Sequence, residues 1–170
     1  MHKPSVSILM GSDSDLSVVR DALTTLEQFG IEFDVKVLSA HRSPEDTVSY
    51  VKKSDKGGIL VFIAAAGGAA HLAGVVAAHT TRPVIGIPIL SKSLGGADSL
   101  YSTVQMPPGV PVATVGINAA KNAAILAIQI LATKDEHLAK RLKIYKQDLQ
   151  KGVREKNEAI GRAGWEKYGN

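Results

Sequence analysis

Residues 58–79 read "GILVFIAAAGGAAHLAGVVAAH", and this stretch decides the fold. The apolar run from Gly58 to Ile63 has the length and composition of a strand buried on both faces. A glycine-rich turn follows, and then a small-residue stretch from about Ala70 to His79 that predicts a helix. A strand of this kind followed at once by a helix is the repeating unit of a parallel sheet, because parallel neighbours must be joined by a crossover that covers the sheet.

The same unit recurs on either side. Val6 to Met10 predicts a strand, with Leu16, Val19, Leu23 and Leu26 at helical spacing behind it. Glu32 to Leu38 and Pro44 to Lys53 predict a second strand and a second helix. Val84 to Ile87 and Pro111 to Val115 supply two more strands, and the long connection between them holds a short helix near Asp98 to Val104. Residues 118–132, "NAAKNAAILAIQILA", are apolar on nearly every face and predict a buried helix. The expected fold is therefore α/β: a three-layer sandwich around a doubly wound, flavodoxin-like parallel sheet.

At 170 residues the chain suits one catalytic domain, with an α/β core to about residue 133 and a helical extension from about 134 to 170. In the extension Leu138, Leu142, Tyr145 and Leu149 form one apolar stripe, and Gly152 and Gly161 are expected to break the helix beyond Leu149. Such a stripe needs a surface to cover, either its own domain or a neighbouring subunit.

Composition removes several function classes. The absence of cysteine excludes disulfides, thiol nucleophiles and cysteine-bound zinc, and fits a cytoplasmic location. The formal charge of +4 rests on cations that concentrate after Lys134 among many acids, and aromatics are only 5%. That pattern is a solvated helix face rather than a nucleic-acid footprint. The apolar run in "MHKPSVSILMGSDSD" is too short for a signal peptide, and no run approaches the length of a membrane span.

In an open parallel sheet, ligands bind beyond the carboxyl ends of the strands, so the loops after each strand carry the functional information. After the first strand comes "GSDSD" (11–15). Ser12 and Asp15 read either as a helix cap and its capping box or as a phosphate ligand and an acceptor for sugar hydroxyls. After the second comes "SAHRSPED" (39–46), in which Ser43 is the expected N-cap, Pro44 the first helical residue and Asp46 the partner closing a weak capping box. A helix N-terminus already carries partial positive charge, so Arg42 is misplaced there unless an anion joins it. His41 reads either as a satisfied polar residue or as a proton-transfer group.

After the third strand, Gly67 and Gly68 let backbone approach a ligand with no side chain between. His71 reads equally as a ligand contact or a structural donor. The connection "SKSLGGADSLYSTVQMPPGVP" (91–111) is too long to be a mere linker. There is no G-x-G-x-x-G after the first strand, no Walker lysine and no spacing for a metal cage. No cofactor and no metal are expected, and the chemistry must rest on proton transfer and electrostatics.

Taken together and in order, "GSDSD", "SAHRSPED", "AAAGGAAHL" and "DSLYSTVQMPPGVPVATV" resemble the class I N5-carboxyaminoimidazole ribonucleotide mutases, a family of purine biosynthesis. The resemblance spans roughly residues 5–145. It implies a flavodoxin-like subunit of a homo-octamer that moves a carboxylate from the exocyclic nitrogen of an aminoimidazole ribonucleotide to its ring carbon, without ATP or metal. It also implies a pathway link to the ATP-dependent enzyme that makes the substrate, and no nucleic-acid or membrane partner.

Carried over by residue, the resemblance makes His41 the general acid/base. Ser12, Asp15 and Arg42 would bind the ribose phosphate, and Gly67 and Gly68 with nearby backbone would enclose the carboxylate or released carbon dioxide. Ser39, Ala66, His71 and Leu72 complete the expected substrate-binding set. The chain departs from the family pattern at Ala65, where glycine is common, and at Ala73, where proline is common. Two other readings compete: a carboxylase that takes free carbon dioxide, and a non-enzymatic flavodoxin-like module. A phospho-acceptor receiver would use Asp13 and Asp15 with an aspartate at the end of the third strand, where this chain has "AAAGG".

Overall fold

The first strand, β1 (Val6–Met10), is buried along its whole length and has a neighbour on each side. A computed structural model describes residues 4–168. Five strands form one sheet: β1, β2 (Phe33–Val37), β3 (Val61–Gly67), β4 (Val84–Ile89) and β5 (Ala113–Thr114), in the order β2-β1-β3-β4-β5. All four pairings are parallel. The helices are α1 (Leu16–Gln28), α2 (Pro44–Gly57), α3 (Leu72–Ala77), α4 (Ala97–Val104), α5 (Ala120–Ala132) and α6 (Glu136–Ala163), with a single 3-10 turn at Asp13–Asp15 before α1. Helices cover both faces, and the strand order is the flavodoxin-like one.

Alternation along the strands assigns the faces. Leu9, Phe62, Ala64 and Val84 join Val51 of α2 and Leu72, Ala73 and Val76 of α3 in one apolar cluster. Ile8, Met10, Ile63 and Ala65 therefore point the opposite way, and all are buried. A polar thread crosses the first of these layers. The Tyr50 hydroxyl of α2 donates to Asp34 Oδ2 at 2.8 Å and accepts from the fully buried Ser7 Oγ at 2.7 Å.

Several expected boundaries shift, each for a local reason. α2 runs four residues past Lys53, because Gly58 at φ 108° supplies a left-handed cap whose N–H reaches the last carbonyls. β3 accordingly starts at Val61 rather than Gly58. α3 and β5 are shorter than expected, α5 starts at Ala120, and α6 passes through Gly152 and Gly161 without a break. Ser43 takes the N-cap position but makes no capping hydrogen bond, and the expected capping box with Asp46 is absent. Its hydroxyl instead accepts from Ser39 N–H at 3.1 Å, closing the loop on itself. Leu16, expected on the buried stripe of α1, is exposed, and Thr25 takes a buried place by donating to the Asp21 carbonyl at 2.6 Å.

Compact structure divides between Leu131 and Ala132. The second unit is dominated by α6, 28 residues long, capped by the Asp135 carboxylate accepting from Leu138 N–H at 3.0 Å. Leu138 and Leu142 are buried, whereas Leu149 further along the stripe is exposed.

Gly86 at the centre of β4 is where α4 meets the sheet. A methyl group there would overlap Thr103 Cγ2 and stand 3.0 Å from Val112 Cγ1. Thr103 cannot swing away cheaply, because its hydroxyl donates to the Ser99 carbonyl at 2.7 Å. Gly86→Ala is therefore expected to destabilise the protein by about 1–3 kcal/mol, as overpacking does. A denaturation midpoint equal to that of the parent would contradict it.

Candidate active site

The carboxyl ends of β1, β2 and β3 converge on a cleft of about 430 Å³. The order β2-β1-β3 makes this the point where successive connections leave β1 in opposite directions, so the loops part and leave a crevice. Of the residues expected from the sequence, Ser12, Asp15, Ser39, His41, Arg42, Ala66, Gly67, His71 and Leu72 all line it. Gly68 does not. At φ 63° it turns the chain from β3 toward α3. Gly11, Ser14, Ala40 and Ala69 also line the cleft.

The first wall is the loop after β1. Ser12 Oγ accepts from Ser14 N–H, and the Asp15 carboxylate accepts from Ser12 N–H at 3.3 Å, so a capping box does form here, on the 3-10 turn. Both residues also face the cleft, so capping and lining occur together. Burial pushes the Asp15 carboxyl above its ordinary range. The Ser12 N–H and the Ser14 hydroxyl pull it back, neighbouring Asp13 pushes it up again, and Arg42 pulls it down.

A raised folded-state pKa means that the native state holds the proton more tightly than the unfolded chain. Stability from this group is present at low pH and falls as pH rises from about 3.8, the unfolded value, through the raised folded value. Asp15→Asn removes that loss. Its melting temperature is expected to gain on the parent as pH rises from about 3.8 through the raised folded value and to hold level above it, and a constant difference across that rise would refute the assignment.

The second wall is the loop after β2. Arg42 Nη2 donates to the Gly11 carbonyl at 2.7 Å, and its Nε donates to Ser39 Oγ at 3.4 Å. The guanidinium is thus stretched between two strand ends, exposed, with further N–H groups left for an anion. Beside it, His41 Nε2 lies 2.8 Å from His71 Nδ1, with the rings edge to face at 84°. A hydrogen bond between two imidazole nitrogens needs one N–H and one lone pair, so the pair excludes simultaneous protonation on that axis. One histidine can hand the other a proton without either moving.

The third wall is the end of β3. His71 occupies the N-cap position of α3 without capping it, which leaves its ring free for His41. The departures at Ala65 and Ala73 lie in buried regular structure and do not line the cleft: Ala65 pairs with Met10 and Ile87 in the sheet, and Ala73 sits on α3. Ser102 of α4 was not singled out from sequence. Its hydroxyl accepts from Ala70 N–H at 3.0 Å and lies 3.3 Å from the Gly68 carbonyl, behind the third wall. No local pattern marks it, because these two partners are more than thirty residues away.

A family model described as AIR carboxylase matches residues 5–152. The chain belongs to that family. A Pyrococcus horikoshii protein named N5-carboxyaminoimidazole ribonucleotide mutase is 52% identical over 98% of this chain and 94% of its own length. A Schizosaccharomyces pombe protein named phosphoribosylaminoimidazole carboxylase is 46% identical over 99% of this chain, which spans only 30% of that longer protein. The crystal structure of Treponema denticola PurE superposes with a TM-score of 0.85 at 33% identity, covering 92% of this chain and 98% of that one.

Proposed function

We propose that this protein is an N5-carboxyaminoimidazole ribonucleotide mutase, an isomerase of purine biosynthesis. The observation that carries the reading is the cleft itself, in which a hydrogen-bonded histidine pair stands beside an arginine already fixed by two strand ends. Full-length similarity to a protein with the mutase name supports it.

The substrate is a ribonucleotide carrying a carboxylate on its exocyclic nitrogen. Its phosphate binds Arg42 and Ser12, where free guanidinium hydrogens and a serine hydroxyl meet. Asp15 accepts from the ribose hydroxyls. His41 works on the base, using Nδ1, the nitrogen that its bond to His71 leaves free.

In the first step the N–C bond to the carboxylate breaks, its electron pair returns to nitrogen, and nitrogen takes a proton from His41. Carbon dioxide stays in the cleft, beside Ala66 and Gly67. In the second step the ring carbon attacks it, forming the C–C bond, and the hydrogen on that carbon leaves as a proton to His41. One proton is given and one returned, so the enzyme ends as it began. A neutral His71 accepts from His41 Nε2–H in both states, so it is Nδ1 of His41 that gives the proton and later takes it back.

The protein is read as a cytoplasmic homo-octamer, and the exposed apolar side chains of α6, among them Leu149 and Val153, give a neighbouring subunit a surface to cover. Among the described residues no helix is long and apolar enough to cross a membrane.

The carboxylase alternative is favoured by two names, the description of the family model and that of the long S. pombe relative. Two parallel reactions separate the readings. One supplies freshly made N5-carboxyaminoimidazole ribonucleotide without ATP or metal, and the other supplies aminoimidazole ribonucleotide with bicarbonate. Fast formation of the carbon-carboxylated product only in the first is expected. Product only in the second would make the protein a carboxylase.

A further inference from the structure

The third wall of the cleft is held from outside, by α4. The turn from Gly68 to Ala70 joins β3 to α3 and carries His71 at its end. Ala70 is buried, and its N–H finds its acceptor in Ser102 Oγ at 3.0 Å. The same oxygen lies 2.7 Å from the Asp98 carbonyl and 3.3 Å from the Gly68 carbonyl. Having one proton, it donates to one of these at a time, while its lone pair holds Ala70 throughout.

α4 in turn is fixed to the sheet. Ser99 Oγ, fully buried, lies 2.7 Å from the Ile89 carbonyl at the end of β4. Ser91 Oγ donates to Asp98 Oδ1 at 2.7 Å and anchors the first turn of the helix. One face of α4 sits against Gly86 through Thr103. A chain of hydrogen bonds thus runs from β4 through α4 to the turn that ends in His71, and Ser102 is the link that crosses between them.

We propose that Ser102, which does not line the cleft, is a positioning residue: it keeps the 68–70 turn closed so that carbon dioxide is recaptured rather than lost. The inference rests on the mutase reading above. It predicts a defect that a general loss of stability would not produce, namely uncoupling of the first step from the second.

The test is a single turnover with substrate labelled with carbon-13 in its carboxylate, in buffer saturated with unlabelled carbon dioxide. Parent protein is expected to retain nearly all the label in the product. Ser102→Ala should retain several-fold less, release free aminoimidazole ribonucleotide, and lose roughly tenfold in kcat with KM changed by less than about twofold. Ser102→Thr, which keeps the hydroxyl, should restore retention. Hydrogen exchange at the Ala70 amide should be faster in Ser102→Ala and normal in Ser102→Thr. If Ser102→Ala does not fold, Ser102→Cys takes its place, with a weak acceptor at the same position. Folded Ser102→Ala or Ser102→Cys with the parent's label retention would overturn the assignment while leaving the mutase reading intact. A parent protein that makes no product would overturn the mutase reading itself, and this inference with it.

Discussion

His41→Asn is expected to lower turnover by about 10²- to 10⁴-fold, the range that a positioned acid/base supplies. The shorter amide gives up the bond that Nε2 makes to His71, but residue 41 is exposed, so the packing of the core has little reason to change. It cannot take up and return a proton. Both half-reactions need that proton, one at nitrogen and one at carbon, so the loss falls on kcat, and nucleotide affinity stays within about threefold. His71→Asn separates the two rings' roles. It leaves the His41 proton in place but removes the acceptor that holds His41 Nε2–H and keeps Nδ1 as the working nitrogen, so it should lower kcat less than His41→Asn does. Near-parent kcat in His41→Asn would remove this residue from the mechanism.

Arg42→Ala is expected to act on binding instead. A charge-assisted hydrogen bond contributes about 1.5–3 kcal/mol, which corresponds to roughly 10- to 100-fold in affinity. The guanidinium also donates to the Gly11 carbonyl at 2.7 Å, so its removal frees the first wall of the cleft as well as the phosphate ligand. Arg42→Lys distinguishes the two effects. It keeps the charge but not the planar fork that reaches Gly11, Ser39 and a phosphate together, so it should recover part of the affinity. Titration of the product nucleotide into each variant measures this directly. An affinity for product unchanged in Arg42→Ala would move the phosphate elsewhere.

The two variants probe different parts of one loop, and their contrast is informative. His41 and Arg42 are adjacent in the chain, yet the first faces the end of β3 and the second the end of β1. The loop after β2 therefore closes the cleft from one side while touching both other walls. A shift of the loop would be read in both kcat and affinity, whereas the substitutions above should each move mainly one.

The alternation of buried strands and helices is local information, and it was legible in the sequence. Val6–Met10 and Pro44 at the start of α2 stand where the sequence places them, because burial pattern and proline geometry act within a few residues. The identity of the loops that carry chemistry was legible too, since in a parallel sheet every such loop lies at the same end. Element ends were read less well. Gly58 reads as the start of a strand until its left-handed backbone shows it closing a helix, and Gly152 and Gly161 read as breaks although α6 continues through them. A glycine in a helix costs only about 1 kcal/mol, which a helix of this length withstands.

Side-chain partnership was legible for the Ser12–Asp15 capping box and not across distant segments. His41 meets His71 across 30 residues, Arg42 meets Gly11 across 31, and Ala70 meets Ser102 across 32. Each contact depends on strand order, and strand order is settled by how buried faces pack, not by any pattern inside one segment. Ser43 shows the same limit at short range: the sequence makes it a cap, but its hydroxyl is drawn to Ser39 by the path of the loop. The sequence by itself determined an α/β chain with polar, glycine-bearing loops at one end of its sheet. The tertiary structure alone decided which of those loops meet, because a hydrogen bond is specified by positions in space and the sequence records only positions along the chain.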